Sequence, residues 1–162
     1  MGMDKFPHYS GMEFIPDSAY IIEESPARLA CGADIRSVEF IRRKDTSLLF
    51  IEAKATIANP EKSPEPYRTE IDQICDKFIH SLNLLSAVKI GVVEDTLPDG
   101  FTESTKISLK LVLVVRDHKS DWCRPVKRTI EQALPLYIKK IWKPEIFVIN
   151  HTTAIKRGIV VA

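Results

Sequence analysis

Apolar residues follow two rhythms along this chain. Between residues 67 and 88 they fall at Tyr67, Ile71, Ile74, Cys75, Phe78, Leu82, Leu85 and Val88. Steps of three and four put them on one stripe of a helix. Glu65, Glu70 and Asp72 place negative charge near that helix's N-terminal end, where the dipole favours it. Elsewhere the apolar residues come in short dense runs. Residues 106–115 (KISLKLVLVV) alternate at first and then become apolar on both faces, which predicts a strand at the centre of a sheet. Residues 33–43 and 47–56 predict two more strands, with the polar turn Lys44-Asp45-Thr46 joining them as a hairpin. Residues 18–25 predict a short strand or a turn or two of helix, ended by Pro26. Three prolines make residues 59–66 a loop. A second helix is expected over 121–142, kinked at Pro135, then a strand over 145–149 and an edge strand over 155–161. Residues 1–17, with Pro7, Gly11 and Pro16, read as an irregular lead-in. The order β-β-β-α-β-α-β predicts one mixed α/β domain over residues 1–162.

Composition changes this picture little. Apolar content of 44% and charged content of 28% are those of an ordinary globular chain. A formal charge of +1 argues against a broadly basic nucleic-acid coat, though not against a local basic groove. Cys31, Cys75 and Cys123 are odd in number and lack metal-ligand spacing, so reduced thiols are expected. The longest apolar runs are roughly ten residues, too short to span a bilayer. The N-terminus lacks the layout of a signal peptide, and a cytoplasmic location is the expectation.

The chemistry concentrates at Cys31-Gly32-Ala33-Asp34-Ile35 and at Glu52-Ala53-Lys54. Glu52 and Lys54 stand two apart in an apolar run, so on a strand they share a face. Buried charges cost several kcal/mol unless they are paired or bound to metal. If the hairpin register is even, Asp34 joins them on that face. Two carboxylates supply hard oxygen ligands for Mg2+, which completes its shell with water and phosphate oxygens. Lys54 would orient or help deprotonate a water bound to the ion, or neutralise charge developing on a phosphate. The competing reading is a Glu52–Lys54 surface pair on an edge strand, worth under about 1 kcal/mol.

The sequence G-x-D-I, a strand, a hairpin turn and an apolar strand ending E-A-K-A resembles the PD-(D/E)xK nuclease superfamily, also called restriction-endonuclease-like. The likeness covers about residues 18–116. It implies a mixed central sheet flanked by helices, and hydrolysis of phosphodiester bonds, usually in DNA, with Mg2+ (or Mn2+). Carried onto this chain, it implies Asp34 and Glu52 as metal ligands, the Ala53 carbonyl as a further ligand and Lys54 as the catalytic lysine. Gln73, on the helix after the Glu-x-Lys strand, would support the site, with Lys77 one turn on. Members often carry a glutamate on a helix ahead of the first strand; Glu23 or Glu24 are the candidates here, and no convincing long helix holds them. Ala33 stands where a proline often precedes the metal-binding Asp.

The expected activity is therefore metal-dependent DNA cleavage, by a homodimer or with a partner protein. The alternative is a catalytically inactive module of the same fold that binds nucleic acid or a protein. Arg42, Arg43 and Lys44 at the hairpin tip, and Arg124, Lys127 and Arg128 on the second helix, are candidates for phosphate-backbone contact. Trp122 and Trp142 are expected as core or staple residues.

Overall fold

The computed structural model describes residues 6–102 and 106–162. The expected lead-in is instead a small hairpin, β1 (His8–Tyr9) with β2 (Met12–Glu13), turning at Gly11, where φ is +76°. A Cβ at Gly11 would lie 2.0 Å from the Arg116 guanidinium, whose Nη1 donates to the Ser10 carbonyl at 2.9 Å. Residues 1–5, the start of that lead-in, lie outside the described residues.

Residues 18–25 hold both expected alternatives in succession, β3 (Ala19–Tyr20) and a 3-10 turn, Ile22–Glu24. That turn stops just ahead of Pro26, as expected, and the proline has a second role. It opens helix α1 (Pro26–Cys31), with Ser25 Oγ accepting from the Arg28 N–H at 3.1 Å as N-cap. Proline suits that first position because its missing N–H has no partner there in any case. The hairpin β4 (Phe40–Lys44) and β5 (Ser47–Lys54) pairs Phe40 with Ile51 and Lys44 with Ser47. Helix α2 (Pro64–Lys89), β6 (Ser108–Val115), helix α3 (Ser120–Ala133) and β7 (Glu145–Asn150) follow.

One sheet runs β3-β4-β5-β6-β7, antiparallel for its first three strands and parallel for its last three. Two parallel crossovers of the same hand, stepping in the same direction, put α2 and α3 on one face. There Phe50 meets Phe78 edge-on at 5.3 Å, amid Ile71, Ile74, Leu82, Leu111 and Ile130. The opposite face is covered by Met12 and Phe14 of the N-terminal hairpin and by Ala154, packed on Phe40, Ile51, Val112 and Val114. β6 contributes to both clusters, which is why its sequence loses its alternation.

Three further expectations need correction. The strand over 33–43 begins only at Phe40; Gly32, at φ +92°, caps α1, and residues 33–38 run outside the sheet. The helix over 121–142 ends at Ala133, ahead of Pro135, and a separate wide turn, Ile138–Trp142, follows; Trp122 and Trp142 are exposed rather than core. The edge strand over 155–161 is instead α4 (His151–Lys156), because Asn150 Oδ1 caps it by accepting from the Thr153 N–H at 3.0 Å. Only Val160 bridges to Phe14. All three cysteines are free thiols. Among the described residues no helix is long and apolar enough to cross a membrane.

Candidate functional site

β5 presents Leu49, Ile51 and Ala53 to one cluster and Leu48 and Phe50 to the other. Strand alternation puts Glu52 and Lys54 on the Leu48–Phe50 face, under α2. Glu52 is fully buried (0% exposed), and Lys54, at the strand's C-terminal end, is half-buried. Among the described residues no carboxylate pairs with Lys54. The Ala53 N–H lies 3.3 Å from Glu52 Oε1, while its methyl packs into the opposite face.

Asp34 does not join this pair. It is exposed in the turn after α1, ahead of the paired part of β4. The residue brought beside Glu52 is Glu39. The β4–β5 ladder ends at Phe40 and Ile51, and the Glu39 N–H also donates to the Ile51 carbonyl at 3.0 Å, so two residues face one as in a bulge, and the Glu39 carboxyl comes beside those of Glu52 and Glu23. Two bonds from α2 hold the approach to Glu39: His80 Nδ1 accepts from the Arg36 N–H (3.0 Å), and buried Ser81 Oγ accepts from the Val38 N–H (2.9 Å). On the same helix, Lys77 Nζ stands 2.8 Å from Glu52 Oε2. At that distance the ammonium gives Oε2 a counter-charge and a charge-assisted contact. Gln73, half-buried, lies one helical turn before Lys77.

The electrostatics follow from this crowding. Burial, then hydrogen bonding to Glu23, then the charge of Glu52 push the Glu39 carboxyl far above the usual carboxylate range, so it keeps its proton at neutral pH. Burial pulls Lys77 down, but Glu52 and, behind it, Glu39 and Glu23 outweigh this and hold it above its usual value. The negative potential reaches Tyr9, whose phenol is pushed up to about 12 by burial and then by Glu39, Glu24 and Glu23. Of the two N-terminal candidates, half-buried Glu23 therefore bonds Glu39, while Glu24 is exposed.

Whether a divalent ion fits can be judged from the donors. Among the described residues no three acid, histidine or cysteine side chains converge as a ready cage. Two adjacent carboxyls do match Mg2+, which takes few protein ligands and keeps several waters, once Glu39 gives up its proton to the incoming ion.

The basic residues at the hairpin tip partly serve the fold. Arg42 Nη1 donates to the Gly158 carbonyl and Arg43 Nη1 to the Gly100 carbonyl, both at 2.9 Å. Arg124 and Arg128 are exposed on α3, and Lys127 lies 3.9 Å from Glu131. Comparison of the chain with protein-family models, with curated proteins and with solved structures finds no match in any of the three.

Proposed function

We propose that this chain is a metal-dependent phosphodiesterase of the restriction-endonuclease-like class acting on DNA, with Glu39 rather than Asp34 as partner of Glu52. The observation that carries the reading is the pair of neighbouring carboxylates, Glu39 just ahead of β4 and Glu52 on β5, with Lys54 on the Glu52 face of the strand. Glu39 and Glu52 would hold a divalent ion, with the Ala53 carbonyl next along the strand as a further ligand. The ion would supply Lewis acidity and a lowered water pKa. Lys54, unpaired among the described residues, is placed to orient the attacking water and to offset charge growing on the phosphate. Lys77 holds the Glu52 carboxylate in place, and Gln73 lines the helix face above it. Glu23 takes part through Glu39 and acts as a positioning residue.

The test is cleavage of labelled DNA with Mg2+ or Mn2+. Glu39→Gln and Glu52→Gln should each abolish cutting, and Asp34→Asn should not. Cutting that survives Glu39→Gln would overturn the assignment.

One observation favours a second reading, a non-cutting module of the same fold that binds nucleic acid or a protein partner. The Lys77 ammonium already neutralises Glu52 without any metal. Titration calorimetry with Mn2+ separates the two readings, because a purely structural pair takes up no ion and its heat does not change in Glu39→Gln.

A further inference from the structure

At the turn end of the β4–β5 hairpin, on the face away from α2, lies a groove of about 540 Å3. Its floor is Leu49, Val112, Ile149 and Ile159. Its walls carry four cations from three elements: Lys44 before the turn, Lys110 on β6, and Lys156 and Arg157 at the end of α4. Asp45 is the one carboxylate in the lining; Glu145, outside it, is the register partner of Lys110 on β7. In a chain of net charge +1 this is a marked local excess.

The cations are held rather than scattered. Lys110 Nζ and the Arg157 guanidinium both sit against the Phe147 ring, 5.7 Å and 5.5 Å from its centroid. Lys44 Nζ donates to the Arg157 carbonyl at 3.2 Å, tying the hairpin turn to α4. No salt bridge among the described residues neutralises Lys44, Lys110, Lys156 or Arg157.

We infer that this groove binds the phosphate backbone of a nucleic acid, at a site separate from the Glu39–Glu52 pair. The groove is concave and its cations rise from both sides of a recessed apolar floor. A row of phosphates can enter it, whereas a flat anionic membrane would meet only its rim. Phe147 is the one aromatic ring in the lining and two cations already rest against it, which disfavours base stacking. Contact is to the backbone and independent of sequence. The inference stands whether or not the carboxylate end cuts.

The experiment is fluorescence anisotropy of a short labelled DNA duplex with the full chain in EDTA, so that cleavage plays no part. Four phosphate contacts predict roughly a hundredfold loss of affinity between about 50 and 200 mM salt, and Lys110→Ala/Arg157→Ala should cut that loss to about tenfold. Lys156→Glu, an exposed change on α4, should weaken binding without touching the Phe147 packing, and it guards against misfolding of the double variant. An unchanged salt dependence in both variants overturns the inference. So does a loss matched by Arg124→Ala/Lys127→Ala on α3, or variants that release phosphatidylserine vesicles while the duplex still binds.

Discussion

The two ends of the β4–β5 hairpin carry opposite charge and treat it in opposite ways. At the open end, Glu39 and Glu52 are drawn into the protein beneath α2, and the fold meets their charge with one ammonium and one retained proton. At the turn end, Lys44, Lys156 and Arg157 stay exposed and half-buried Lys110 rests on an aromatic ring. Exposed cations cost little and need no partner to fold. Buried carboxylates are costly, so only the open end ties folding to its chemistry. Loss of the counter-charge there should cost stability and loss of a carboxylate should cost activity, whereas changes at the turn end should disturb binding alone.

The largest expected effect is on catalysis. Glu52→Gln should lower Mg2+-dependent cleavage by at least about a hundredfold, measured by single-turnover gel assay. The same substitution removes a buried charge, so it should not lower the urea midpoint. A variant that cuts normally would make the open end a structural charge pair only.

The next effect is on stability. Lys77→Met leaves Glu52 buried without its counter-charge and should cost about 3 kcal/mol by urea denaturation, the low side of the range for a broken buried pair because the ammonium is partly exposed. Lys77→Met/Glu52→Leu should recover most of that loss. No recovery would mean that α2 packing, and not charge, is what Lys77 supplies. Ser81→Ala comes next, at about 1 to 3 kcal/mol, because it strands the buried Val38 N–H. It should also loosen the approach to Glu39 and weaken Mn2+ uptake measured by calorimetry.

Acidity gives a further test. The Glu39 carboxyl is raised in the fold, towards about 10, so the folded state binds a proton that the unfolded chain releases above its ordinary carboxyl range. The stability this gives is complete below that range and is lost as pH rises towards the folded value. Thermal melts of the metal-free protein should therefore fall between pH 5.5 and 8.5, and Glu39→Gln should flatten that fall. An equal slope in the variant would place the titrating group elsewhere.

Much of this architecture is legible in the pattern of apolar residues. The stripe from Tyr67 to Val88 and the run from residue 106 to 115 are long enough for periodicity to decide. The elements missed are short and defined by caps. Ser25-Pro26 reads as a stop unless the serine is seen as an N-cap, and Asn150 starts a helix where the β-branched residues after it suggest a strand. At the site, Glu52 and Lys54 are visible because charge interrupts an apolar strand. Glu39 is only partly recoverable: a loop of Asp45 and Thr46 pairs Lys44 with Ser47, and counting outward reaches Phe40 opposite Ile51, but the ladder ends there and Glu39 bonds to Ile51 as well. A turn count does not foresee that extra residue. Lys77 and Glu23 depend on how a helix and a 3-10 turn seat against the sheet, which no local pattern encodes.

The smallest expected effect belongs to Asp34, the residue the motif singles out most strongly. It is exposed in the turn after Gly32, and no hydrogen bond or ion pair holds its side chain among the described residues. Asp34→Asn should shift stability by no more than about 0.5 kcal/mol and leave Mn2+ binding unchanged. The measurement discriminates sharply because Asp34 and Glu39 make opposite demands on the chain. For Asp34 to reach Glu52, residues 33–38 would have to join the sheet as a continuation of β4, releasing the bonds that His80 and Ser81 make to Arg36 and Val38. A loss of metal binding in Asp34→Asn would show that this rearrangement takes place, with the Glu39 arrangement as its resting state.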